Sequence, residues 1–203
     1  MQIVLFKLWS RLAAIGLLAI MLAIVFVDST VANFCVRRLR VLTLYQDAPT
    51  SLQIAGVLAV GMAIIAVYCL IIQRIPRWAQ ALLLSGVAAV ASLILTEWII
   101  KPLFSRPDPL TYVYHLRRTF GWHTPGLVVS SFPSTHAALA AAAISVVGLY
   151  FARLRGAGVV AALVIDVLLV LGNWHFVSDV LAGNLLGFTI AVITYGTIET
   201  LKK

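Results

Sequence analysis

The chain has 203 residues, 62% of them hydrophobic and only 11% charged, with a mean hydropathy of +1.04. Soluble domains carry roughly 45 to 50% apolar residues, so a water-soluble fold is excluded. The formal charge of +8 would suggest nucleic acid in a soluble protein, but here the basic residues sit in short clusters between apolar runs, a pattern of membrane topology; no nucleic-acid partner is expected.

A helix needs about 20 apolar residues to cross a bilayer. Six segments meet that requirement, near 9–27, 53–73, 79–100, 134–152, 157–174 and 179–200. Open strands cannot cross lipid, so the expected fold class is all-α: a single domain over residues 1–203 forming a six-helix transmembrane bundle. The first run lacks a small-residue cleavage site and is expected to remain as a helix. After it, residues 31–45 mix apolar positions with Arg37, Arg38 and Arg40. They suit either an amphipathic helix lying at the interface or a snorkelling juxtamembrane cap.

The turns containing Arg74, Arg77, Arg153 and Arg155 are basic, as are the termini with Lys7, Arg11, Lys202 and Lys203. The positive-inside rule places all of them in the cytoplasm and sends 28–52, 101–133 and 174–178 outward. Cys35 and Cys69 lack the spacing of a metal knuckle or redox pair. The four histidines lack zinc-site spacing, so no metal or other cofactor is expected. The alanine-rich run Ala137–Ala143 suits close helix packing, and no internal repeat suggests a transporter.

Three outward segments carry the candidate chemistry. The first is Lys101-Pro-Leu-Phe-Ser-Arg106-Pro107-Asp108-Pro109, whose Lys101 and Arg106 suit a clamp on phosphate oxygens, with Glu97 four residues before Lys101 as its alternative partner. The second is Ser130-Ser131-Phe132-Pro133-Ser134-Thr135-His136, a helix start capped by Ser131 or Ser134. Its backbone N–H groups and dipole favour an anion, and His136 stands on the first turn. The third is Asn173-Trp174-His175-Phe176-Val177-Ser178-Asp179, in which the carboxylate, four residues from the imidazole, can hold one ring nitrogen and leave the other free as a nucleophile. His115, His123 and Trp122 read as loop residues, and Glu97 and Asp166 as packing or tuning groups within apolar runs.

Taken in order, these segments resemble the type 2 phosphatidic acid phosphatase (PAP2) family, whose pattern is Lys-x6-Arg-Pro, then Pro-Ser-Gly-His, then Ser-Arg-x5-His-x3-Asp. The resemblance spans residues 101–187; the first hundred residues agree only in hydropathy. Thr135 replaces the family's glycine, Asp108 stands at the first motif's arginine with Arg106-Pro107 two positions earlier, and Leu168 and Leu169 replace the Ser-Arg pair. The chain is thus a variant lacking two motif arginines, for which Arg106, or Arg117 or Arg118, are the available substitutes.

The resemblance implies a lipid-phosphate substrate, undecaprenyl diphosphate-like or phosphatidic acid-like. His175 would be the nucleophile forming a phosphohistidine, Asp179 its orienting group and His136 the general acid. Lys101, Arg106, Ser134 and Thr135 would bind phosphate. It further implies a multi-pass protein of the bacterial cell membrane with an outward site and metal-independent turnover. Transfer to a hydroxyl acceptor and non-catalytic binding of lipid phosphates are the competing expectations. Neither the substrate's identity nor the oligomeric state is legible.

Overall fold

The computed structural model describes residues 2–39, 50–116 and 130–201, and their regular elements are helices. The first helix is α1 (Gln2–Leu22), followed without interruption by a π-helical turn Ala23–Val27, α2 (Asp28–Phe34) and a second π-helical turn Cys35–Leu39. Residues 31–39 therefore continue the first helix and do not lie as a separate interfacial helix; 40–45 fall outside the described residues. Asn33 ties this segment together, donating to the Ser29 carbonyl and accepting from Arg37 Nε.

A reciprocal capping box opens α3 (Ser51–Ile72): Thr50 Oγ1 accepts the Gln53 N–H, and Gln53 Oε1 accepts that of Thr50. Gln73, in the left-handed region at φ 50°, ends it. Pro76 precedes α4 (Arg77–Ile94), which runs through a π-helical stretch, Leu95–Ile100, into a 3-10 turn, Lys101–Leu103. The short α5 is Pro109–Thr111; then come α6 (Thr135–Tyr150), α7 (Arg155–Leu171) and α8 (Val177–Leu201).

Among the described residues four helices are long and apolar enough to cross a membrane: Trp9–Leu39, Arg77–Leu103, Ala152–Leu171 and Val177–Leu201. The other two expected spans are occupied by shorter apolar helices, Gly56–Ile72 and Thr135–Tyr150. The chain is an integral membrane protein.

At the centre is α6, packed against α4, α7 and α8. Small side chains make this possible: Ala137, Ala138 and Ala142 are fully buried, and α8 turns Gly183 and Gly187 towards them. A Cβ on Gly183 would stand 2.4 Å from the Ser134 carbonyl oxygen, and one on Gly187 2.3 Å from that of Ala138. Close backbone approach of this kind is what small residues four apart provide between membrane helices. It also sets the start of α6 beside the start of α8.

The opposite end of α6 is closed by basic residues. Arg77 donates to the Tyr150 carbonyl (2.9 Å) and Arg155 Nε to that of Gly148 (3.0 Å), satisfying carbonyls at the negative end of the helix. The basic turns expected on one side of the membrane thus share one end of the bundle.

Candidate active site

The site is assembled where α6 and α8 begin. Ser134 caps α6: its Oγ accepts the Ala137 N–H at 3.3 Å, while its own N–H donates to the Asp179 carbonyl at 3.0 Å. Ser131 has a different task. Its N–H donates to the Arg106 carbonyl and its Oγ to that of Pro107, so the segment before α6 is stitched to the strap after Lys101.

On the first turn of α6, Thr135 Oγ1 donates to Glu97 Oε1, which also receives Lys101 Nζ at 2.8 Å. The alternative partner of Lys101, Glu97, is thus engaged with it, and Thr135 is joined to the pair. The next residue, half-buried His136, packs its ring 5.7 Å from that of Trp174 and 6.4 Å from that of His175, centroid to centroid.

His175 reaches this position through a tight turn. Asn173 takes a left-handed conformation (φ 59°), which asparagine tolerates better than most residues, and the Trp174 and His175 N–H groups fold back onto the Leu169 carbonyl. His175 is 8% exposed, and its Nδ1 lies 3.7 Å from Asp179 Oδ2, beyond hydrogen-bonding distance. The same Asp179 oxygen accepts the Phe176 N–H at 2.9 Å, as an acid in the first turn of a helix can. The carboxylate thereby caps α8 while facing the imidazole.

Arg106 lies beneath this pair. It was expected at the phosphate, yet its guanidinium is fully buried: Nη1 donates to Asp179 Oδ1 and Ser178 Oγ, and Nη2 to Asp28 Oδ2. The Phe176 ring stacks 4.2 Å from its central carbon. A single guanidinium thus serves two carboxylates, the fork geometry in which arginine excels.

Asp28 and Ser178 escaped the sequence reading. Asp28 is fully buried, accepts Ser178 N–H at 3.0 Å and Ser178 Oγ, and pairs with Arg106. One signal was available: Asp28 is the first acidic residue in the chain and follows a long apolar run, where an ionisable group is a functional candidate.

The variant positions have plain structural roles. Asp108 caps α5, accepting the Thr111 N–H and hydroxyl. Leu169 is buried against Ala137 and Val180, and Leu168 is 60% exposed and lines the apolar cavity below His136. Asp166, expected as a packing or tuning group, accepts from Asn184 of α8 at 2.6 Å. Arg117, Arg118, Trp122 and His123 lie outside the described residues, as does the side chain of His115. Among the described residues no three His, Cys, Asp or Glu side chains are grouped to hold a metal ion.

Below His136 a cavity of about 610 Å³ opens between α3, α6 and α7, walled by Ile54, Leu58, Leu139, Leu169 and Trp174. Its lining is almost wholly apolar, with the imidazole at its polar end.

The PAP2 superfamily model matches residues 80–203, more than half of the chain and every residue of the two histidine motifs. The chain belongs to the PAP2 superfamily. Comparison with curated proteins finds no match. Among solved structures the chain is similar to a transmembrane PAP2-type phosphatidylglycerolphosphate phosphatase from Bacillus subtilis. That similarity has 20% identity and a TM-score of 0.46, and covers 100% of this chain and 98% of that one. At family level the PAP2 assignment is that of a membrane lipid phosphatase, and this PAP2 chain reaches the family's histidine pair without the motif arginine that Leu169 displaces.

Proposed function

We propose that this PAP2 protein hydrolyses a lipid phosphate or diphosphate, undecaprenyl diphosphate-like or phosphatidic acid-like, through a phosphohistidine on His175. The observation that carries the reading is the meeting of His175, Asp179 and His136 at the start of α6, above an apolar cavity.

Asp179 holds the Nδ1 side of the ring, leaving Nε2 to attack phosphorus. As the N–P bond forms, the P–O bond to the lipid breaks, and His136 delivers a proton to the departing oxygen. His136 then takes a proton from water, whose oxygen displaces His175 and releases phosphate. Lys101 and the positive end of the α6 dipole neutralise the phosphoryl oxygens, with the Ser134 and Thr135 hydroxyls fixing that turn and its lysine. Arg106 contributes from behind, by holding Asp179. No metal enters the scheme.

The cavity beneath His136 accepts the lipid chain, so the leaving oxygen stands beside the acid that protonates it. In this reading the bundle crosses a bacterial cell membrane six times, both termini are cytoplasmic and the site faces outward. The basic turns capping the far end of α6 support that orientation.

Phosphate release from polyprenyl diphosphates, polyprenyl phosphates and phosphatidic acid, measured on protein purified with lipid, tests the proposal. Wild type is expected to release phosphate from one class, and His175→Asn and His136→Ala to lose it. Turnover only after adding a hydroxyl acceptor would establish a phosphotransferase instead, and binding without turnover a non-catalytic member.

A further inference from the structure

The geometry points to Asp28, on the first helix and outside every PAP2 motif, as a positioning residue of the reaction site. This inference rests on the phosphatase reading above. Asp28 reaches the site because the preceding turn is π-helical: its N–H bonds the Ala23 carbonyl five residues back. Widening the helix by one residue brings Asp28 onto the buried face that Ala23 and Ala32 also occupy.

There it holds the first turn of α8 by two contacts, from Ser178 N–H and Ser178 Oγ, and accepts a third from Arg106 Nη2. Arg106 in turn holds Asp179, which faces His175 Nδ1 at 3.7 Å. The cluster has two carboxylates for one guanidinium. Were Arg106 paired with Asp179 alone, its charge would be spent on the carboxylate that must face the imidazole. By sharing it, Asp28 leaves net negative charge beside Nδ1 when His175 acts and becomes positively charged. The groups packed around the imidazole are then Asp179, the neighbouring His136, and Arg106 with Asp28 behind.

Asp28→Asn is the test. It leaves Arg106 and Asp179 as a neutral pair, so the fold is expected to survive. Two readouts are made on full-length protein in lipid nanodiscs. In ¹⁵N spectra of histidine-labelled protein, assigned with His175→Asn, the His175 ring resonances are expected to move and those of His136 to stay. In steady-state phosphate release, kcat is expected to fall by roughly 100-fold, the scale of a small misplacement of a reacting group, with KM unchanged.

Unmoved His175 resonances, or an unchanged kcat, would overturn the role of Asp28 while leaving the phosphatase reading intact. A wild type inert towards every lipid would overturn that reading instead, and the resonances alone would then decide whether Asp28 positions His175. If Asp28→Asn does not fold, Ser178→Ala removes one anchor without disturbing a charge, and the same displacement of the His175 resonances is required of it.

Discussion

At the residue scale the site is governed by how few cations serve its anions. Arg106 is wholly buried between Asp28 and Asp179, so Arg106→Met would strand two carboxylates in a dry interior. Breaking a buried ion pair in this way costs about 3 to 5 kcal/mol. The expected outcome is a large fall in thermal midpoint in detergent, or loss of folded protein, measured by fluorescence-detected unfolding. Lys101 differs because it is partly exposed and its partner, Glu97, remains bonded to Thr135 when it is removed. Lys101→Ala is expected to fold normally and to raise KM roughly tenfold or more, since a charge-assisted hydrogen bond contributes about 1.5 to 3 kcal/mol. Steady-state kinetics beside the thermal midpoint separates the two cases.

At the element scale the crossing of α6 and α8 sets the distance between the two histidines. Gly183 and Gly187 lie against backbone atoms of α6, which cannot move aside as a flexible side chain can. Gly183→Val is expected to push the helix starts apart, destabilising the protein by about 1 to 3 kcal/mol or more through overpacking. In the proposed mechanism it also lowers kcat, because the Ser134–Asp179 backbone bond lies at the same level. Ser134→Ala removes only the cap, and is expected to cost about 0.5 to 2 kcal/mol while α6 keeps its place. Thermal unfolding of the two variants distinguishes a displaced helix from a frayed one.

At the scale of the whole molecule, the basic turns and the reaction site occupy opposite ends of α6. Cysteines introduced at the exposed positions Arg74 and Thr50, the latter at the end of α3 that approaches His136, in a background with Cys35 and Cys69 replaced, are expected to react with an impermeant maleimide from opposite sides of sealed vesicles. Labelling of both from one side would refute the proposed topology. Phosphate release is expected to persist in excess chelator, because the proposed scheme assigns the phosphoryl charge to Lys101 and to the α6 dipole; loss of turnover restored by a divalent cation would show otherwise.

Hydropathy determined the helical class and the approximate spans by itself, because lipid leaves the backbone no other way to satisfy its polar groups. Local spacing offered as much of the site as one helical turn can encode: the α6 cap, left between Ser131 and Ser134, the His175–Asp179 pair and the alternative Glu97–Lys101 pair, whose observed contacts join residues at most four apart. Tertiary structure alone decided the rest. Asp28 meets Arg106 across 78 residues and Ser178 across 150, and a π-helical turn shifts its phase away from any 3.6-residue count. Arg106 looked like a phosphate ligand because its charge was legible and its neighbours were not. Two carboxylates brought in by distant helices engage both of its Nη atoms, since the buried charge of each depends on having the others within bonding distance.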